Sequence, residues 1–187
     1  MGLFSGLFGN KEKRLGKVAT HLIPRLKEVS ERWTEYCVAL LNEMGVSPTR
    51  AILSEDGLAC VVAFQYFMFT QLIHEKEYIQ TVKREEFFDL IANMVIHENN
   101  IVGDAFLSKL KYFHETTDAS KLIFSLSECM AKDLVGKEVV LGESVALSSN
   151  VNLLIIMTKI ITAESFRDFR TAKKFQDMLD DIFGANS

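Results

Sequence analysis

The residues best suited to bind a metal ion or catalyse a reaction are four histidines, three cysteines and the acidic side chains near them. Metal sites in helical bundles use Glu-x-x-His pairs, and helical zinc proteases use His-Glu-x-x-His. None of the four histidines has a glutamate three residues before it. His74-Glu75 begins the second pattern, but Tyr78 stands where its second histidine would be, and the pair at 97–98 fails in the same way. We therefore predict no metal site and no bound cofactor.

The three cysteines, Cys37, Cys60 and Cys129, are far apart in the sequence and form no Cys-x-x-Cys motif. An odd number of widely spaced cysteines argues against a disulfide framework and favours reduced thiols that pack as small hydrophobic side chains. The chain also lacks the Gly-x-Ser-x-Gly motif of serine hydrolases and the Gly-Lys-Ser or Gly-Lys-Thr end of a phosphate-binding loop. Because a site can also form from residues distant in sequence, these absences argue against an enzyme without excluding one.

The scarcity of glycine and proline limits the folds that could position these residues. The 187 residues include ten glycines and two prolines, and both Pro24 and Pro48 lie near the N-terminus. An all-β sandwich or barrel needs turn residues about every 8–12 positions. We therefore predict an all-α protein, a single-domain bundle of six or seven helices over residues 11–187. A flexible or anchoring tail at residues 1–10 precedes it.

Residues 11–44 show the clearest helical period, because apolar side chains recur there every three or four positions. The predicted stripe comprises Leu15, Val18, Leu22, Leu26, Val29, Trp33, Tyr36, Leu40 and Met44. A straight helix of this length would span about 51 Å, whereas a compact domain of this size is about 40 Å across. We expect the helix to break near Pro24 or to project beyond the body, and to end at Gly45.

Two segments, 57–74 and 144–162, are apolar on nearly every side. A helix of this kind is buried, whereas a helix with a single apolar stripe lies at the surface. We therefore predict that these two helices form the centre of the bundle, with amphipathic helices packed around them. The first segment is shorter than the roughly 20 apolar residues of a membrane span, so we predict a core helix there.

Five polar residues interrupt the two apolar segments: Gln65, Tyr66, Gln71, Asn152 and Lys159. Buried polar groups need hydrogen-bond partners, and the simplest expectation is that these residues satisfy one another. The alternative is a pocket, because ligand sites combine apolar walls with a few polar contacts. That alternative predicts a small apolar ligand held between 57–74 and 144–162.

The N-terminus could act as an anchor. Leu3, Phe4, Leu7 and Phe8 share one side of a helix, and basic residues follow from Lys11 onward. An apolar turn beside basic charge can bind weakly to an anionic membrane surface. Glycine weakens a helix, and there are three in the first nine residues, so a flexible tail is the leading alternative. Docking against a partner chain is the third.

Charge and hydropathy bear on the partners of the protein. The net charge of −4 argues against nucleic acid, because phosphate binding needs a surplus of basic residues. Fourteen phenylalanines and a slightly positive mean hydropathy favour a homo-oligomer that hides apolar surface. We predict a cytoplasmic, non-catalytic interaction or regulatory module that acts by binding protein, with peripheral membrane contact through its N-terminus as a variant. The alternative is a carrier or sensor of an apolar ligand.

Overall fold

The computed structural model describes residues 5–43, 45, 47–75, 81–136 and 177, and for residues 5–16, 18, 72–75, 81–87, 119, 120 and 123 it describes the backbone alone. Within these ranges the regular structure is entirely α-helical, which confirms the predicted fold class. The helices are α1 (Ser5–Glu43), α2 (Glu55–Glu75), α3 (Thr81–Glu98), α4 (Gly103–Glu115) and α5 (Ala119–Val135). The prediction of six or seven helices relied on a helix at 144–162 and another near 163–183, which lie outside the described residues except for residue 177.

Helix α1 is a single helix of 39 residues that contains Pro24. The chain therefore does not break at this proline. Pro24 lies on the exposed side of the helix, away from the predicted stripe. Leu22, Leu26, Val29 and Trp33 of that stripe are buried, so the amphipathic pattern and not the proline decides the course of this helix.

The last turns of α1 are buried on a different side from the one predicted. Cys37 and Leu41 are buried, whereas Tyr36 is 38% exposed and Leu40 is only partly buried. A step of three residues rotates a side chain about 60° one way around a helix, and a step of four rotates it about 40° the other way. After Trp33 the buried side chains follow four-residue steps, to Cys37 and then Leu41. The buried side of the helix therefore turns away from Tyr36.

Helix α2 lies at the centre of the described part of the chain. Every side chain from Ala59 to Phe67 is buried. The helix contacts α1, α4 and α5, most extensively α4. Its predicted central partner, 144–162, lies outside the described residues, so the predicted central pair stays a prediction. In the part of the chain that the structure describes, no helix is long and apolar enough to cross a membrane.

The C-terminal end of α5 is tied to the connection that precedes α2. The Leu134 carbonyl accepts hydrogen bonds from the Thr49 N–H at 2.8 Å and from Thr49 Oγ1 at 3.0 Å. Asp133 accepts hydrogen bonds from the Ser54 N–H at 2.7 Å and from the Ser54 hydroxyl. That hydroxyl in turn accepts a hydrogen bond from the Gly57 N–H at 3.2 Å, so Ser54 caps the N-terminus of α2. We call Thr49, Ser54, Asp133 and Leu134 the α2–α5 clasp.

The clasp also sets the relative direction of α2 and α5. The first turn of α2 contacts the last turn of α5, so the two helices are antiparallel from this point. The Asp133 carboxylate also lies at the N-terminus of α2, where the helix dipole favours a negative charge. The chain leaves α5 through Gly136, whose φ of 69° is in the left-handed region that glycine adopts readily.

Candidate functional site

The two buried polar residues predicted to line a pocket on α2 bond to different helices. The Gln65 Nε2 donates a hydrogen bond to Ser30 Oγ on α1 at 3.0 Å, and Ser30 Oγ donates to the Leu26 carbonyl at 2.8 Å. The Tyr66 hydroxyl donates to the Phe88 carbonyl on α3 at 2.6 Å. The neighbouring helices α1 and α3 therefore supply the hydrogen-bond partners of these two polar groups.

The surroundings of Tyr66 are those of a core residue. Its ring lies 5.7 Å from the ring of Phe69 and 5.8 Å from that of Phe106, measured between centroids. Burial raises the pKa of the Tyr66 phenol well above its usual range, and the Asp89 carboxylate adds to this effect. The phenol thus stays protonated and acts as a hydrogen-bond donor.

The remaining predicted pocket residues do not complete a site. Gln71 is partly buried on α2, and Asn152 and Lys159 lie outside the described residues. A pocket between 57–74 and 144–162 therefore stays a prediction.

The predicted N-terminal anchor is only partly described. Helix α1 begins at Ser5, so Leu7 and Phe8 belong to it, but only their backbone is described. Leu3 and Phe4 lie outside the described residues. Membrane contact, docking against a partner and the flexible tail all stay predictions.

A surface groove of about 380 Å³ lies between α4 and α5. Its walls are formed by Tyr112 from α4 and by Lys121, Phe124, Ser125 and Glu128 from α5. The four α5 residues share one side of the helix, because they are spaced three, four and seven positions from the first. Tyr112 is 43% exposed and Phe124 is 36% exposed, so the groove presents two aromatic rings to solvent between charged side chains. We call it the α4–α5 groove.

The α4–α5 groove was not predicted from the sequence, although one signal was present. Helix α5 buries Leu122, Leu126 and Met130, and Phe124 is on another side of the same helix. A single large apolar residue on the polar side of an amphipathic helix is a weak signal, because only a contiguous apolar patch marks a contact site. The position of Tyr112 in the same groove carries no such signal, because only the tertiary fold brings Tyr112 and Phe124 to one place.

Two of the three cysteines meet in the structure. Cys60 on α2 and Cys129 on α5 lie close enough for their thiols to interact. Hydrogen bonding with Cys129 and burial raise the pKa of Cys60, so Cys60 is the thiol that keeps its proton. The same interaction lowers the pKa of Cys129, and the positive charge of Lys109 acts in the same direction. We call Cys60 and Cys129 the thiol pair.

The described residues offer neither a metal site nor a disulfide. In the ranges that the structure describes, no group of three or more His, Cys, Asp and Glu side chains is placed to hold a metal ion. The described cysteines are all free thiols, and Cys37 is buried alone on α1. Among the described residues, the α4–α5 groove and the thiol pair are therefore the two candidates for a functional site.

Comparison of the chain with protein-family models, with curated proteins and with solved structures finds no match.

Proposed function

We propose that the protein is a non-catalytic helical interaction module that pairs with a second copy of its own chain through the α4–α5 groove. The observation that carries this proposal is the exposed aromatic pair, Tyr112 and Phe124, with Lys121 on one side of Phe124 and Glu128 on the other. Aromatic side chains are enriched at protein interfaces, where they supply much of the binding energy.

The charges of the groove favour a second copy over an unrelated partner. Lys121 and Glu128 are seven residues apart on α5, with Phe124 and Ser125 midway between them. In a two-fold symmetric interface the same patch must be complementary to itself, since residue i contacts residue j and j contacts i. A two-fold axis near Phe124 and Ser125 brings each Lys121 opposite a Glu128 of the partner subunit.

The exposed apolar residues supply the second line of support. Among the described residues, eight large hydrophobic side chains are exposed, and four of them lie on α4, on α5 or directly before α4. These four are Val102, Leu107, Tyr112 and Phe124. A stable interface buries about 800 Å² on each partner, so the groove would be its centre and not its whole extent.

The experiment is a charge exchange across the proposed two-fold axis, measured by sedimentation velocity of the full chain over a range of concentrations. The wild type is expected to form dimers as the concentration rises. Lys121→Glu and Glu128→Lys each place like charges opposite one another, so each variant alone should dimerise at least about ten-fold more weakly. The double variant restores both pairs and should dimerise as the wild type does.

Mixing the two single variants gives the sharpest result. In the mixed dimer each new charge faces an opposite one, so Lys121→Glu and Glu128→Lys chains should associate with each other more tightly than either does with itself. Lys27→Glu on the exposed side of α1 is the matched control for Lys121→Glu, because it changes the net charge by the same amount and should not alter dimerisation. A wild type that stays monomeric at every concentration, or a mixture that stays monomeric, overturns the proposal.

A further inference from the structure

The thiol pair joins two helices that the clasp already holds together. Asp133 packs directly against Gly57, since a Cβ placed on that glycine would lie 2.5 Å from Asp133 Oδ2. Because α2 and α5 are antiparallel, the side chains one turn further along each helix also face each other. Those side chains are Cys60 and Cys129, which follow Gly57 by three residues and precede Asp133 by four.

The two thiols have different surroundings. Cys60 is buried, whereas Cys129 is partly exposed. Lys109 on α4 contributes positive charge at Cys129, and Asp133 on α5 and Asp56 on α2 contribute opposing negative charge. Cys129 is thus the thiol that a small oxidant reaches first, because it is the more exposed of the two, and its lowered pKa favours the reactive thiolate.

We propose that Cys60 and Cys129 form a peroxide-reactive dithiol site in which Cys129 is oxidised first and Cys60 then closes a disulfide between α2 and α5. This inference does not depend on the proposed dimer, because both thiols belong to one chain. It assigns a chemical role to two of the cysteines that the sequence indicated only as small hydrophobic side chains.

The chemistry balances with hydrogen peroxide as the oxidant. The Cys129 thiolate attacks one peroxide oxygen, the O–O bond breaks, and a sulfenic acid and hydroxide form. The Cys60 sulfur then attacks the Cys129 sulfur, an S–S bond forms, and the sulfenic oxygen leaves as water with the proton of the Cys60 thiol. Two electrons pass from the two thiols to one peroxide, which is reduced to water.

Cys37 provides an internal control for this reactivity. It is buried on α1, and burial raises the pKa of its thiol to about 12. A buried thiol that stays protonated is a poor nucleophile, because the thiolate is the reactive form. Cys37 should therefore resist peroxide under conditions that oxidise Cys129.

The test is to treat the reduced full chain with hydrogen peroxide at low protein concentration, block the remaining thiols with N-ethylmaleimide, and locate the products by peptide mass spectrometry. The expected product is a Cys60–Cys129 disulfide within one chain, formed at least about ten-fold faster than any oxidation of Cys37. In Cys60→Ala and Cys60→Ser the reaction should stop at a Cys129 sulfenic acid, which dimedone traps. Two variants are used so that a folding defect in one does not decide the result.

Lys109 supplies the matched pair of variants. Lys109→Met should slow the first oxidation of Cys129 several-fold, whereas Lys111→Met, an exposed lysine on the same helix, should leave it unchanged. The proposal is overturned if Cys37 is oxidised as fast as Cys129, or if the wild type forms no disulfide while dimedone traps Cys129 equally in wild type and Cys60→Ala. Disulfides that link two Cys129 residues of different chains would also overturn it.

Discussion

Gly57 shows how a single position can reverse an ordinary rule. Alanine normally stabilises a helix relative to glycine by about 1 kcal/mol. At Gly57 the added Cβ would lie 2.5 Å from Asp133 Oδ2, and that carboxylate is held by two hydrogen bonds from Ser54. We predict that Gly57→Ala lowers the free energy of unfolding by about 1–3 kcal/mol, as overpacking does elsewhere. Denaturant unfolding followed by the fluorescence of Trp33, the single and buried tryptophan, measures this change.

Gly103 at the start of α4 is the matched control for Gly57. A Cβ there would lie 3.7 Å from Ile96 Cγ2, which is ordinary van der Waals contact. Gly103→Ala should therefore leave the stability unchanged or raise it by up to about 1 kcal/mol. If Gly57→Ala were as stable as Gly103→Ala, the close approach of α2 and α5 at the clasp would be wrong.

Cys37 predicts how stability depends on pH. The pKa of its thiol rises from 9.0 to about 12 on folding, so between these values the unfolded chain releases a proton that the folded chain keeps. Higher pH therefore favours the unfolded chain, and the stability that this thiol contributes is present below pH 9 and is lost toward pH 12. We predict that the free energy of unfolding falls less steeply above pH 9 in Cys37→Ala than in the wild type.

Comparing Cys37→Ala with the wild type cancels the contribution of the other titrating groups to the pH dependence of stability. Cys60 and Tyr66 also have raised pKa values, but they titrate in both proteins. The cavity left by the alanine shifts the whole curve without changing its slope. Unfolding free energies measured from pH 7 to pH 11 that run parallel in the two proteins would contradict the buried position of Cys37.

For single residues, the sequence indicated which polar groups need a hydrogen-bond partner but not which residues supply it. It marked Gln65 and Tyr66 as polar groups that need partners, and both have hydrogen bonds. It did not name Ser30 or the Phe88 carbonyl as those partners, because a helical period gives the side that a residue occupies but not the helix that covers it. The meeting of Cys60 with Cys129 was unpredictable for the same reason.

Helix α1 offers a test at the scale of the element. Pro24 lies within it on the exposed side and has no N–H to donate to the preceding turn. Proline costs about 3 kcal/mol relative to alanine inside a helix. Pro24→Ala removes this cost from the helix, but it also gives the unfolded chain more conformational freedom, which offsets part of the stabilisation. We therefore predict a net rise in the free energy of unfolding of about 1–3 kcal/mol.

Pro48 is the control for Pro24, because it lies in the connection between α1 and α2, outside any helix. Pro48→Ala should leave the stability unchanged or lower it by up to about 1 kcal/mol, since proline restricts the unfolded chain. Thermal unfolding followed by circular dichroism compares the two variants. An equal or lower melting temperature for Pro24→Ala than for the wild type would show that α1 is adapted to its proline.

Elements with a strong period or a nearly uniform apolar surface were predictable. The apolar segment at 57–74 corresponds to α2, whose described range is 55–75, and the stripe of the first helix is buried from Leu22 to Trp33. The prediction drifted beyond Trp33, where Cys37 and Leu41 face the core in place of Tyr36 and Leu40. The pattern of apolar residues alone does not reveal this change of side, because both the buried pair, Cys37 and Leu41, and the more exposed pair, Tyr36 and Leu40, fit an apolar stripe.

For the whole molecule, the sequence predicted the fold class but not the surface on which the proposed function depends. Few turn residues and long periodic segments suffice to indicate an all-α protein. The α4–α5 groove is lined by residues of two helices, and its aromatic rings come from residues that are not neighbours in sequence. Tertiary packing creates such a surface, so no local pattern marks it.

The most direct test of the proposed self-association is hydrogen–deuterium exchange of the full chain at low and high concentration. If two copies pair through the α4–α5 groove, backbone amides around Tyr112 and between Lys121 and Glu128 should exchange more slowly at high concentration. The segment around Tyr36, an aromatic residue of similar exposure on α1, should exchange at the same rate at both concentrations. Unchanged exchange along α4 and α5, with or without protection elsewhere, would contradict the account.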